Sequence, residues 1–328
     1  MDKIRWGLLS TAHINRYFIP AIRSSKRGAL VAVASRSQHS AKSYAAEWQI
    51  PLAFSSYDSM LTSGSIDAVY ISLPNHLHAE WTVKALNAGV HVLCEKPLAL
   101  SVAEVDRMIT ASRDSHMVLA EAFMYRHHPQ TKLAGEWAHS GRLGNISLVK
   151  GSFHFSLKSR QNIRRVPEYG GGCLWDVGVY PISLAQFILN GPPERVSGMQ
   201  SLGDTGVDET FAGQMIYPGN QLAQITSSFL TSFYTSVEII GSEGRLILNR
   251  PFISMDENHR MVFYPKEGET REIEVPEKDL YLGEVEDIHA AILDGTPTYL
   301  SLEESRDHIR TTVALYQSAR SMQVVPLE

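Results

Sequence analysis

What most narrows the fold of this chain is an alternation across roughly its first 120 residues, where short apolar runs are separated by stretches of helical periodicity. The runs Ile4 to Ser10, Ala29 to Ser35, Ala68 to Leu73, His91 to Glu95 and Val118 to Phe123 read as strands. Helices fit between them at Ile14 to Ser25, Ser40 to Trp48, His78 to Ala88 and Val102 to Ser115. Strands and helices in this order imply parallel βαβ units and a doubly wound sheet. Gly28, Gly64 and Gly89 fall where the helices should stop.

After about Glu121 the texture changes. Helices are expected at Pro129 to His139 and Asp176 to Leu189. Closely spaced runs follow at Val196 to Leu202, Phe211 to Tyr217, Leu222 to Phe229, Ser236 to Ile240 and Arg245 to Leu248, with turns such as Pro218-Gly219-Asn220. Strands without intervening helices imply a mainly antiparallel sheet, whose outer face would support dimerisation. Two helices, Gly283 to Leu293 and Leu302 to Ser321, finish the chain. At 328 residues the chain exceeds what one core usually supports. The expected domains are 1–121 and 122–328, making an α/β protein.

The charge balance, 30 Lys and Arg against 35 Asp and Glu, leaves a net charge of -5 and no polyanion footprint. Nucleic acid is thereby excluded as an expected partner, and a small molecule favoured. Cys94 and Cys173 make no disulfide framework, and their spacing matches no zinc pattern. No window of about 18 apolar residues appears, so no membrane span is expected and the protein reads as cytoplasmic.

Chemistry concentrates at expected strand ends. In Val92-Leu93-Cys94-Glu95-Lys96-Pro97-Leu98-Ala99-Leu100, a strand gives way to a turn at Glu-Lys-Pro. The carboxyl edge of an open α/β sheet is where ligands bind, and an ammonium followed by a proline there is costly unless the charge meets a substrate or cofactor. Lys96 is therefore the first catalytic candidate. The turn after the first strand reads Ser10-Thr11-Ala12-His13-Ile14-Asn15, aligning Ser10, Ala12 and Asn15 with the glycines of GxGxxG. Small residues at the first two positions still let backbone approach a pyrophosphate, and the following helix presents N–H groups to anionic oxygens. Asn15 departs further, because that glycine normally serves close helix-to-strand packing.

The second strand ends in Ser35-Arg36-Ser37, with Lys42 further on and no acid. An acidic residue there takes the ribose 2'-hydroxyl of NAD, whereas a 2'-phosphate needs a cation and hydroxyl donors. NADP(H) is the expected cofactor. The strand at Ala68 to Leu73 runs on into Pro74, Asn75, His76, Leu77 and His78, which suits a loop along the cofactor. Neither His76 with His78 nor His127 with His128 has a third ligand in reach, and no metal is expected.

With these strand ends, Glu95-Lys96-Pro97 and the run Gly170-Gly171-Gly172-Cys173-Leu174-Trp175-Asp176-Val177-Gly178-Val179-Tyr180-Pro181, the chain resembles the Gfo/Idh/MocA oxidoreductases. Arg5-Trp6-Gly7 and Glu121-Ala122-Phe123-Met124-Tyr125-Arg126 resemble the branch of dihydrodiol and xylose dehydrogenases and NADP-dependent ketosugar reductases. The resemblance implies a Rossmann domain, a C-terminal α/β domain with an open sheet, and hydride exchange between nicotinamide and a sugar or polyol hydroxyl. It also implies a Lys-Pro bond able to be cis. By motif position Lys96 carries over as the catalytic lysine, with Asp176 and Tyr180 as its partners. Many relatives carry His where Tyr180 stands, which changes the proton donor.

Asp176 and Tyr180, four apart at the start of an expected helix, would share one face, and the glycines before them would let that helix end approach the nicotinamide. Hydride transfer to a ketone builds negative charge on oxygen. Tyr180 is the expected acid, Lys96 the stabiliser of the developing alkoxide, and Asp176 the group that orients a substrate hydroxyl and keeps Lys96 charged. Trp175 and Arg164 are expected at the cofactor or substrate wall, and Glu95 either at the ribose or beside Lys96. The expected cofactor contacts are thus Ser10, Thr11, Ala12, His13, Ile14, Ser35, Arg36, Leu73, Pro74, Asn75, His78, Glu95, Lys96, Arg164 and Trp175. Specificity loops are expected after Phe153 and around Asn258, with Lys158, Arg160, Arg164 and Arg165 on a basic loop. The alternatives are a trans-dihydrodiol dehydrogenase and a non-catalytic NADP-sensing regulator. A homodimer or homotetramer through the C-terminal sheet is the expected assembly.

Overall fold

The apolar runs of the first half form β1 (Ile4–Leu9), β2 (Gly28–Ala34), β3 (Leu52–Phe54), β4 (Ala68–Ile71), β5 (His91–Glu95) and β6 (Leu119–Ala122) in the computed structural model, which describes residues 3–253 and 260–327. Between them lie α1 (Asn15–Ser24), α2 (Gln38–Trp48), α3 (Tyr57–Leu61), α4 (His78–Asn87) and α5 (Val102–Ser115). All six strands are parallel, in the order β3-β2-β1-β4-β5-β6. This is the order of a dinucleotide-binding sheet, whose strand order reverses at β1/β4 and opens a crevice there. The short β3 and α3 escaped sequence reading because three and five residues carry too little periodicity.

The second half begins with α6 (Pro129–His139), β7 (Ile146–Ser156) and α7 (Val179–Ile188). It continues through β8 (Arg195–Leu202), β9 (Asp208–Ile216), β10 (Leu222–Ser228), β11 (Leu230–Gly241), β12 (Gly244–Asn249), β13 (Arg260–Pro265) and β14 (Arg271–Ile273). With β15 (Val325–Pro326) these strands make one sheet in the order β14-β13-β12-β11-β7-β10-β9-β8-β15. The sheet is antiparallel except between β7 and β10, which are parallel. β7 is a correction to the sequence reading: the stretch through Phe153 and Phe155, expected to lead into a specificity loop, is a central strand. Its backbone passes so close to α7 that a Cβ on Gly151 would lie 2.6 Å from Pro181. Asn258 lies outside the described residues.

The last two helices are α8 (Leu282–Asp294) and α9 (Leu302–Ser321). Compact units comprise 1–124 with 281–306, and 125–280 with 307–328, so α8, expected in the second domain, packs with the first. Its anchor is His289, whose Nε2 accepts from the indole N–H of Trp6 at 2.9 Å while Nδ1 faces Ser25 Oγ at 3.1 Å. Trp6, Phe18, Tyr70, Val285 and Ile288 share one core, with Phe18 stacked on Tyr70 at 3.9 Å between centroids. Gly28 opens β2 instead of ending a helix. A Cβ there would lie 2.8 Å from the His289 ring, so the close approach requires glycine. No helix among the described residues is long and apolar enough to cross a membrane.

Candidate active site

Ser10, the residue after β1, has φ of 146°, in the region that favours glycine. A side chain held there costs on the order of 1–3 kcal/mol. Hydrogen bonds offset the strain. The Ala12 N–H donates to Ser10 Oγ at 3.1 Å, Ser10 Oγ lies 2.8 Å from Ser72 Oγ, and Ser72 donates to Asn15 Oδ1 at 2.7 Å. Asn15 Nδ2 closes the circuit on the Ser10 carbonyl at 2.9 Å. The residue that departs most from the glycine pattern is thus fully buried and ties the β1 turn to the end of β4. Helix α1 begins without a side-chain cap, beside the partly exposed Thr11, Ala12 and Ile14 and the exposed His13. Such a helix start, carrying the positive end of the dipole, fits an anionic ligand.

Beyond β2, Ser35 is partly exposed and Arg36 exposed. Ser37 caps α2, its oxygen accepting from the Ser40 N–H at 3.4 Å. The cation therefore stands at the strand end with no carboxylate in the Ser35–Ser37 stretch.

The loops after β4 and β5 are tied together. His78, expected among the cofactor contacts, is fully buried; Nε2 lies 2.8 Å from the Leu73 carbonyl and Nδ1 2.8 Å from that of Pro97. It joins the two strand-end loops from beneath, so its effect on a ligand is through Leu73 and Pro97. Burial pushes its pKa down, against the two carbonyls, which favour the charged ring. The Lys96–Pro97 peptide is cis. Glu95 accepts from the Tyr70 hydroxyl through Oε1 and from the Lys96 N–H through Oε2 at 3.2 Å, while Glu121 Oε1 accepts from the Leu98 N–H at 2.9 Å. Burial pushes the Glu95 carboxyl up, and the adjacent Lys96 charge opposes this. Lys96, partly exposed, rides on a loop held from three sides. Leu73 is buried, and Pro74 and Asn75 are partly exposed beside it.

In the second unit the glycines before Asp176 serve close packing. A Cβ on Gly171 would lie 2.6 Å from the Arg164 carbonyl, and one on Gly172, at φ 121°, would lie 2.0 Å from Asp208 Oδ1. Leu174–Gly178 is a π-turn, with the Val179 N–H reaching the Leu174 carbonyl, and α7 starts only after it. Asp176 and Tyr180 therefore do not share a regular α-helical face, a correction that the spacing alone concealed. Asp176 Oδ2 accepts from Arg164 Nε at 2.6 Å. The Tyr180 ring lies 5.6 Å from Tyr125, 5.3 Å from Phe153 and 5.6 Å from Phe252. Trp175 is buried with its ring 5.6 Å from Tyr316, inside the unit. Arg165 pairs with Glu209, and Lys158 and Arg160 are exposed.

Asp208 and Tyr316 were missed in the sequence, since a single Asp at a strand start and a Tyr on a late helix give no signal. His128 caps α6, accepting from the Gln130 N–H at 3.2 Å, and burial lowers the pKa of His127 to about 3. Among the described residues no three of His, Cys, Asp and Glu come together as a metal site.

A parallel sheet of this order, a helix start without a side-chain cap after its first strand and a lysine at its carboxyl edge mark a protein whose first domain binds a nucleotide. The chain belongs to the GFO/IDH/MocA oxidoreductases: residues 4–123 match the oxidoreductase family with an NAD-binding Rossmann fold, and 131–247 match the GFO/IDH/MocA C-terminal domain. It is 36% identical to D-xylose 1-dehydrogenase (NADP(+)) 2 of Haloferax volcanii, over 98% of this chain and 99% of that one. It is 32% identical to trans-1,2-dihydrobenzene-1,2-diol dehydrogenase of Danio rerio, over 74% and 73%. The solved 3-ketoreductase KijD10 of Actinomadura kijaniata, in complex with NADP and TDP-benzene, is 29% identical, covers 97% of this chain and 98% of its own, and superposes with a TM-score of 0.91. Solved variants of that ketoreductase alter one lysine and one tyrosine, separated along its sequence by the same interval as Lys96 and Tyr180.

Proposed function

We propose that this oxidoreductase uses NADP(H) and acts on the hydroxyl or ketone of a sugar or polyol. The observation that carries the reading is Lys96, an ammonium on a fixed loop at the carboxyl end of a dinucleotide-binding sheet. NADP-dependence in the xylose dehydrogenase and NADP in the ketoreductase structure support it. So does the chain's own chemistry. The α1 start and the turn at Ser10–Ile14 fit a pyrophosphate, and exposed Arg36 with Ser35 fits a 2'-phosphate. Leu73, Pro74, Asn75 and Glu95 would line the same ligand, with His78 supporting them from below.

Bound NADPH would supply the hydride for reduction of the ketone. In that direction Tyr180 donates its hydroxyl proton to the substrate oxygen, and Lys96 stabilises negative charge developing there. Asp176, steered by Arg164, accepts from a neighbouring substrate hydroxyl, and Trp175 backs the turn that carries it. In oxidation the proton returns to Tyr180. The exposed side chains on the second sheet, among them Met199, Leu202, Leu222 and Tyr234, support assembly as a homodimer or homotetramer. The two buried, unpaired thiols, Cys94 and Cys173, suit the reducing cytoplasm.

The test is turnover of purified protein with NADP+ or NADPH on a panel containing pentoses, hexoses, ketosugars, polyols and a cyclic diol, read by nicotinamide absorbance. Lys96→Ala and Tyr180→Phe should each lower kcat by about 10²-fold or more, leaving NADPH affinity within a few-fold. Turnover confined to the cyclic diol would favour the dihydrodiol reading, and none on any member would overturn the sugar or polyol reading.

A further inference from the structure

We propose that Asp208 is a positioning residue of this reaction, fixing the π-turn that carries Asp176 and leads into α7 with Tyr180. The inference rests on the function proposed above and concerns groups that the proposed chemistry leaves unused.

Asp208 opens β9, is 2% exposed and has both carboxylate oxygens engaged by donors of the protein itself. An ionised carboxylate in such surroundings is costly unless donors meet its lone pairs. Three do. The Leu174 N–H reaches Oδ2 at 2.8 Å, the Cys173 S–H reaches Oδ2 at 3.1 Å, and the Tyr316 O–H, from α9, reaches Oδ1 at 2.6 Å. Burial pushes the Cys173 thiol up, which keeps it a donor.

Two of the three donors sit at the start of the π-turn, and Leu174 is its first residue. The third ties that junction to a helix from the far end of the chain. Gly172 completes the cradle, since a Cβ there would lie 2.0 Å from Asp208 Oδ1 and 2.8 Å from the Tyr316 hydroxyl. The Gly172 N–H also donates to the Arg164 carbonyl at 2.9 Å, so the same junction carries the cation that holds Asp176. A turn fixed at its first residue sets the direction of the residues after it, and Asp176 is two positions on, Tyr180 six. Misplacement of a reacting group by about 1 Å can cost on the order of 10²-fold in rate.

The test compares Asp208→Asn, Tyr316→Phe and Cys173→Ser with the wild-type protein. Expected are kcat values about tenfold or more below wild type for the first two, per NADPH-binding site, with the NADPH dissociation constant within about twofold. The serine variant should retain kcat, because its hydroxyl keeps a donor in place of the weaker S–H. Amide exchange should rise in 172–180 in the Asn and Phe variants, with other parts of the second unit unchanged. Wild-type kcat in folded Tyr316→Phe and Asp208→Asn would overturn the proposal, as would exchange rising evenly across the unit. Should Asp208→Asn fail to fold, Tyr316→Phe carries the test alone. An inactive wild-type protein whose variants still show local exchange would overturn the proposed function and leave the anchoring of the turn standing.

Discussion

Arg164 Nε donates to Asp176 Oδ2 at 2.6 Å, so the carboxylate proposed to steer a substrate hydroxyl is held by a cation from twelve residues earlier in the chain. Asp176 is nearly enclosed while Arg164 is about half exposed, with side-chain exposures of 12% and 42%. Water screens such a pair, so its value lies in orientation and not in stability. Arg164→Ala should lower kcat/KM by about tenfold without changing the unfolding midpoint, and Arg164→Lys should not restore it, because lysine lacks the side-on Nε donor. Steady-state kinetics beside a denaturation curve decides the matter, and wild-type kcat/KM in Arg164→Ala would remove the steering role.

The exposed Arg36 at the end of β2 sets cofactor choice in the proposed function. Arg36→Ala should weaken NADPH by about tenfold or more and leave NADH within about twofold, since only the former carries the 2'-phosphate. Fluorescence titration with both cofactors measures the ratio. Equal weakening of the two would place Arg36 elsewhere in recognition.

At Ser10 two effects oppose each other. Ser10→Ala keeps a side chain at φ 146° and removes the hydroxyl that accepts from Ala12 and meets Ser72, so a loss of about 1–3 kcal/mol is expected in chemical denaturation. Ser10→Gly loses the same hydroxyl but relieves the backbone, and the expected cost is smaller. An alanine variant as stable as the glycine variant would show that the backbone strain is negligible.

Stability should fall in mild acid. Burial lowers the His289 pKa to about 4, and Nε2 must stay unprotonated to accept from Trp6. The unfolded chain, with an ordinary imidazole, binds the proton first as pH drops. The stabilising contribution is therefore whole above about pH 6.5 and is lost progressively down to about pH 4, amounting to on the order of 3 kcal/mol. His127, lowered to about 3, acts in the same direction. Unfolding midpoints across that range should slope less in His289→Gln than in wild type, and parallel slopes would assign the acid sensitivity to other groups.

Both sheets and most helices were legible because their burial follows a period. β5, α5, α6 and α9 fall where the apolar spacing placed them. β7 was not legible: Lys150, Gly151 and Ser152 interrupt its apolar residues, and only two flanking strands make it central. At the site, Lys96 and Asp176 announce themselves by motif, whereas the network around Ser10 does not. A glycine pattern records backbone freedom, and here a serine, a second serine and an asparagine obtain the turn by hydrogen bonding. Likewise, the spacing of Asp176 and Tyr180 could not register one extra residue in a turn, nor could it locate an acid 32 positions downstream of Asp176.

The pairing of Trp6 with His289 has a consequence for biosynthesis. The indole leaves the ribosome 283 residues before its partner. Until then the nucleotide-binding half lacks the helix that seals its flank and must wait, incompletely closed, through translation of β7 to β14. A nascent chain stopped before α8 should accordingly be a better client for chaperones and proteases than its Rossmann-like sequence suggests.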